Sequence, residues 1–240
     1  MSDRMRQALK SGAGEYGLEL TEQTLEKFEI YYSFLVEKNK VMNLTAITQE
    51  EQVASLHFLD SLALTEICDF TNAKIIDIGS GAGFPGLPVA MAAPGAELTL
   101  LDAQRKRIDF LTELCEKIGM NRVKCIHGRG EEEATKREMR EKFDYAFARA
   151  VARLNVLSEL CIPFVKVGGA FVAMKGRDSE EEIAESKKAI KLLGGKIEKV
   201  WDYSIPGTDV VHRAVVIRKI SNTPKNYPRR FAKIQKEPIV

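Results

Sequence analysis

Between residues 21 and 42 the apolar positions fall where an α-helix would stack them. Leu25, Phe28, Tyr32, Leu35 and Val36 share one face, and Thr21 stands where an N-cap oxygen is needed. The NLT triplet at 43–45 breaks the pattern. Thr48 and Glu51 then form a capping-box pair that predicts a second helix over 49–64. The first seventy residues are expected to be a helical extension.

From Lys74 the period shortens. Apolar runs at 74–79, 96–103, 122–128, 142–150 and 168–176 predict strands, with helical segments at 86–93, 104–118, 131–141 and 153–166 between them. Strands that are apolar almost throughout, alternating with helices, predict a parallel sheet covered on both faces. The segment DSEEEIAESKKAIKLLGG predicts one more helix, stopped by its Gly-Gly pair. Two further strands follow at 196–205 and 210–220. Only Pro206 to Asp209 separates them, so they should pair as an antiparallel hairpin. The fold class is α/β: five parallel strands plus a C-terminal hairpin. Residues 1–70 form the extension, 71–220 the α/β domain and 221–240 a tail.

Composition narrows this picture little. A chain of 240 residues suits one medium domain with an appendage, and a chain of that size buries roughly 70–75% of its unfolded surface. Charged residues make up 29% and hydrophobic ones 45%, ordinary for a globular protein. MSDRMRQALKSG has no apolar core of a signal peptide, and no run approaches the ~20 apolar residues of a membrane span. A cytoplasmic protein with no membrane partner is expected. Cys68, Cys115, Cys125 and Cys161 form no C-x-x-C pair, and His57, His127 and His212 are scattered, so no metal is expected.

Charge matters once it is localised. The net charge is +2, yet the last twenty residues carry Lys225, Arg229, Arg230, Lys233 and Lys236 against Glu237 alone. Basic residues interleaved with Tyr227 and Phe231 can neutralise phosphates and stack on bases. The same composition also describes a solvated terminus.

The stretch DIGSGAGFPG, residues 77–86, admits three ligands. A P-loop needs Lys then Ser or Thr after its last glycine, and Leu87 and Pro88 stand there instead. The dinucleotide fingerprint is met at Gly81, Gly83 and Gly86, but Asp77 would repel a pyrophosphate. Pro85 and Pro88 remove N–H donors that an anion would use. A ligand with a cationic centre suits Asp77 better, with Gly79, Gly81 and Gly83 allowing close backbone approach. S-adenosyl-L-methionine is such a ligand. Asp102, 25 positions after Asp77 at the next strand end, suits ribose hydroxyls of either ligand. Together these features resemble the Rossmann-like seven-stranded methyltransferases.

The end of the fourth strand, FDYAFARA, lacks the Asn/Asp-Pro-Pro-aromatic segment of amine methyltransferases and the cysteine nucleophile of pyrimidine C5 enzymes. It offers Arg149, with Lys175 at the end of the fifth strand. Two cations there suit a nucleic acid, through phosphate or guanine O6 and N7; they also suit surface salt bridges.

The chain resembles the bacterial ribosomal small-subunit RNA guanine-N7 methyltransferase family, RsmG, formerly GidB. NLTAI (43–47), HFLDSL (57–62), DIGSGAGFPGLPVA (77–90), LDAQRKRIDFL (101–111), HGRGEE (127–132), FDYAFARAVARL (143–154), MKG (174–176) and TPKNYPRR (223–230) carry the resemblance across nearly the whole chain. Ala148 departs from it, standing where Ser or Cys is common.

The resemblance implies that Gly79 and Phe84 contact the methionine part of S-adenosylmethionine, with Asp77, Gly81 and Gly83 of the same loop also expected in the cofactor site. Asp102 would hold the ribose, and Gly130 and Glu131 would frame the adenine. Arg149 would lie beside both cofactor and base, acting with Lys175 in catalysis. Lys225, Arg229, Arg230 and Lys233 would anchor small-subunit rRNA or the ribosomal small subunit, and a monomer is expected. Guanine N7 attacks a methyl group without losing a proton, so no general base is required. NLT (43–45) with His57, Asp60 and Ser61 can close one wall of the site; the favoured reading is packing, with Asn43 and Asp60 as caps and turn formers. An NAD(P)-dependent oxidoreductase and a non-catalytic nucleotide-binding RNA module are the competing readings.

Overall fold

The computed structural model describes residues 2–149 and 152–240. Ala150, the expected last residue of the fourth strand, and Val151 lie outside the described residues. Seven strands form one sheet: β1 (Lys74–Ile78), β2 (Glu97–Asp102), β3 (Val123–His127), β4 (Phe143–Arg149), β5 (Val165–Gly176), β6 (Gly195–Ser204) and β7 (Val211–Lys219). Their order is β3-β2-β1-β4-β5-β7-β6. Strands β1 to β5 pair in parallel; β7 runs antiparallel to both β5 and β6. The expected five-plus-two arrangement is therefore present, with β7 inserted beside β5.

Side-chain parity explains the two faces. Ile75, Leu98, Leu100, Phe147 and Val172 point to one core, and Ile76, Ile78, Ala146, Ala148, Phe171 and Ala173 to the other. The first core is shared with the N-terminal helices α1 (Asp3–Glu15) and α2 (Glu22–Met42), and with α5 (Gly86–Ala92) and α6 (Arg105–Lys117). The second lies under α8 (Leu154–Cys161) and α9 (Glu180–Leu192) and includes Ile234 of the terminal helix α10 (Phe231–Lys236). The N-terminal helices and the tail each supply fully buried residues to the core of the sheet. Met5, Leu9 and Ala13 of α1, one turn apart, have no exposed surface.

Thr21 caps α2 as expected, its hydroxyl accepting from the Thr24 N–H, and Asn43 ends it in the left-handed conformation at φ 51°. The second helix differs from expectation. Gln49, not Thr48, is the N-cap of α3 (Glu50–Val53), and no side chain caps it. The chain then widens into a π-helical stretch, Ala54–Leu59, before α4 (Asp60–Leu62). Such π turns recur at functional sites. The helix expected over 131–141 is only α7 (Gly130–Glu133), followed by turns. Tertiary bonds displace its end: the N–H groups of Glu141 and Lys142 donate to the carbonyls of Pro163 and Phe164, both at 2.9 Å.

Among the described residues, no helix is long and apolar enough to cross a membrane, and no cluster of three or more potential ligands could hold a metal ion. The four cysteines are free thiols.

Candidate active site

The sheet order reverses between β1 and β4, and ligands in open α/β sheets gather at the strand C-termini beside that switch. The glycine loop after β1, Asp102 at the end of β2, the loop after β3 and Arg149 at the end of β4 all meet there. They frame three adjoining hollows.

A central hollow of about 460 Å³ is lined by Gly79, Gly81, Phe84, Asp102, Arg107 and Arg149, with Thr45 and His57 from the N-terminal segment. A smaller one of about 150 Å³ adjoins it through Gly79, Asp102 and Ala103; Gly130, Glu131, Leu160 and Phe231 enclose it. A third, of about 540 Å³, adjoins the central hollow through His57 and Arg149 and is lined by Asp60, Met174, Lys175 and His212.

The loop is held from both sides. Asp102 is nearly fully buried; its carboxylate accepts from the Gly81 N–H at 3.0 Å and the Gln104 N–H at 2.8 Å, with Arg107 at 3.3 Å. Three of roughly four acceptor positions are thereby used, leaving one at the junction of two hollows. From the other side Tyr31 of α2 donates its hydroxyl to the Ala82 carbonyl at 2.6 Å. Burial pushes that phenol well above its ordinary range, so it stays a donor. Phe84 lies between rings: it stacks on Tyr31 at 5.3 Å and on His57 at 4.5 Å, and the Arg149 guanidinium sits 5.0 Å from its centre.

Asp77 takes a different place from the one its sequence position suggests. It has no exposed surface and lines none of these hollows. Its Oδ2 accepts from the Gly86 N–H at 2.9 Å, and Oδ1 has no partner. Burial raises its pKa to about 7, against the pull of the Gly86 N–H and of Arg149. It braces the loop from beneath and presents no carboxylate to a ligand cation.

Arg149, like His57, lines both the central and third hollows, and it projects to the face that the N-terminal helices cover. Its guanidinium donates to Asp60 Oδ2 at 2.9 Å and to the Leu56 carbonyl at 3.3 Å. Asp60 is almost wholly buried and also accepts from the Tyr203 hydroxyl at 2.7 Å and from His212 Nδ1 at 2.8 Å. Burial alone would raise its pKa, but these bonds and the Arg149 charge hold it below the ordinary value. The packing role read for Asp60 is thus corrected: it is the hub that fixes Arg149. His57 is kept neutral, its pKa lowered to about 4 by burial and by Arg149. A proton placed on Nδ1, where the Leu56 carbonyl lies 3.0 Å away, leaves Nε2 to accept from the Thr45 hydroxyl at 2.8 Å.

Lys175 lines the third hollow but its charge is spent. It pairs with Glu182 at 2.6 Å and donates to the Ala152 carbonyl at 2.6 Å. It anchors Ala152 and is not a free cation in that hollow. Arg229 is corrected likewise: both nitrogens of its fork bind the buried Glu159, at 2.9 and 2.7 Å. Lys225, Arg230 and Lys233 are exposed. Tyr31, Tyr203 and His212 carry no local sequence signal as site residues. NLT, with Thr45, and the His57–Ser61 segment are the two pointers to the N-terminal helices as a wall of the site.

Solved structures of low identity share this fold. The S-adenosylmethionine-dependent methyltransferase of Aquifex aeolicus superposes with a TM-score of 0.54 at 15% identity, over 73% of this chain and 96% of that one. The fibrillarin pre-rRNA processing protein of Methanococcus jannaschii gives 0.52 at 20% identity, over 65% and 70%. The fold is that of the Rossmann-like methyltransferases. The family model for GidB, rRNA small subunit methyltransferase G, matches residues 24–209. The ribosomal RNA small subunit methyltransferase G of Thermoanaerobacter pseudethanolicus is 47% identical over the whole of both chains. That of Clostridium perfringens is 46% identical over 96% of this chain and 97% of its own. The chain belongs to the GidB family of small-subunit rRNA methyltransferases.

Proposed function

We propose that the protein methylates N7 of a guanine in small-subunit rRNA, taking the methyl group from S-adenosylmethionine. The residues present fit that donor. Gly81 sits at φ 58°, and a Cβ added there would meet only the Gly79 carbonyl oxygen, at 3.9 Å, so the loop leaves room for close backbone approach. The spare acceptor position of Asp102 suits a ribose hydroxyl. Gly130 and Glu131, with Ile78, Leu101 and Leu160, suit a flat, largely apolar base. Bound there, the donor supplies a sulfonium methyl carbon as the electrophile.

The third hollow is then the place for the guanine. N7 carries an in-plane lone pair, so its attack releases no proton and asks for no base. The acceptors lining the hollow are poor bases in any case: the Arg149 charge and the bonds from Tyr203 and His212 hold the Asp60 carboxylate below its ordinary pKa, and burial lowers that of His57 to about 4. The chain contributes position. Arg149 is locked by Asp60 and Leu56 and stacked over Phe84, which holds its remaining N–H groups at the boundary of the two hollows. Fixing two reactants across such a boundary is worth several powers of ten in rate.

The observation that carries this reading is that Arg149 lines both hollows. The test is transfer of labelled methyl to small ribosomal subunits and to naked rRNA lacking the modification, followed by nucleoside analysis. 7-Methylguanosine is expected. A different methylated nucleoside, or none from either substrate, would overturn the proposal.

A further inference from the structure

The tail that reads in sequence as an RNA arm sends one residue inward. Phe231, the first residue of α10, is the only aromatic side chain among the described residues lining the smallest hollow, beside Asp102, Gly130 and Glu131. It is firmly placed. Upstream, Arg229 makes its double contact with Glu159, a carboxylate only 1% exposed. Downstream, Ile234 has no exposed surface. Arg140 donates to the carbonyls of Tyr227 at 2.8 Å and Thr223 at 2.9 Å, which ties the approach to α10 onto the domain. At the rim, the Arg129 guanidinium lies 5.3 Å from the Phe231 ring centre while its Nε donates to Glu131 at 2.8 Å.

We infer that the C-terminal segment 229–236 is a built wall of the nucleoside end of the methyl donor's site, with Phe231 as its affinity-determining residue. The inference rests on the donor reading of the cleft. Its reason is chemical: the other apolar walls, Ile78, Leu101 and Leu160, come from the sheet and α8, and an aromatic face opposite a purine adds stacking to simple burial. The buried Arg229–Glu159 pair explains the placement. Breaking it would leave Glu159 charged and unpaired, so the segment stays docked. The exposed Arg230 and Lys233 of the same segment remain available to phosphate.

The test is calorimetric titration of the full chain with S-adenosylhomocysteine. Phe231→Ala should weaken binding about tenfold, an aromatic contact's worth. Phe231→Tyr should restore it, and Lys188→Ala, at an exposed position of α9 away from the hollows, should leave it unchanged. In the wild type, hydrogen exchange of 229–236 should slow when S-adenosylhomocysteine is added, a readout that does not depend on any variant folding. Binding by Phe231→Ala within about twofold of wild type, or exchange in 229–236 that ignores the ligand while residues 79–84 respond, overturns the inference. Failure of the wild type to bind at all is a separate result, and it removes the donor reading first.

Discussion

The guanidinium of Arg149 and the carboxylate of Asp60 meet at 2.9 Å, although 89 positions separate them in the chain. One comes from the end of β4 and the other from the N-terminal helices, so the pair fastens the extension to the cleft it helps to line. Asp60 also receives Tyr203 and His212 from the hairpin strands β6 and β7. Three distant parts of the chain therefore converge on a single buried carboxylate.

Removing that charge should be costly. Asp60→Ala leaves Arg149 without its partner, and breaking such a pair costs roughly 3–5 kcal/mol. Asp60→Asn keeps the size and loses the charge. It should bind S-adenosylhomocysteine nearly as wild type but transfer methyl on the order of a hundredfold more slowly, because the arginine is no longer fixed. Wild-type turnover by Asp60→Asn would remove Asp60 from the positioning role.

Two glycines of the loop should respond differently to alanine. At Gly83, φ is 103° and an added Cβ would fall 2.6 Å from the Tyr31 hydroxyl oxygen and 3.1 Å from Leu111, both in the core. Gly83→Ala should therefore lower thermal stability markedly. At Gly81 the added Cβ meets no packed side chain, and the left-handed backbone costs only about 1–2 kcal/mol. Gly81→Ala should stay folded and lose affinity for S-adenosylhomocysteine. Equal melting temperatures for the two variants would contradict this division of roles.

Asp77 predicts a pH dependence of stability. Its folded pKa of about 7 lies above the ordinary value of 3.8, so the native chain holds the extra proton between those two values. Stability from this group is therefore lost as pH rises from 4 towards 7, by an amount on the order of a few kcal/mol. Asp77→Asn cannot ionise. Relative to wild type it should gain stability on going from about pH 5 to about pH 8 in urea titrations. A constant difference between the two proteins across that range would rule out a buried proton on Asp77.

The basic tail should divide into two kinds of residue. Replacing Lys225, Arg230 and Lys233 together by Ala should flatten the salt dependence of RNA binding by up to about three phosphate contacts. Arg229→Ala should instead lower stability, since it strands the buried Glu159. If Arg229→Ala left stability intact and changed only the salt slope, the structural role of its pair with Glu159 would be wrong.

The strands and most helices follow from local pattern, because an apolar run of five residues or a 3.6-residue period is a property of neighbours in sequence. Lys74–Ile78, Glu97–Asp102 and Glu22–Met42 lie within a residue or two of the expected limits. The glycine loop and Asp102 could also be placed, since a strand end followed by glycines fixes where a ligand approaches. What the sequence could not decide is which charges are spent. Lys175, Arg229 and Asp77 look alike as free ionic groups until Glu182, Glu159 and Gly86 are brought against them. Nor could it show that Asp60, Tyr203 and His212 share one point, or that Phe231 turns inward. The convergence on Asp60 and the docking of Arg229 on Glu159 depend on contacts between residues 70 to 152 positions apart. Only the packed sheet brings such residues together, and burial then makes an unpaired charge too costly to leave.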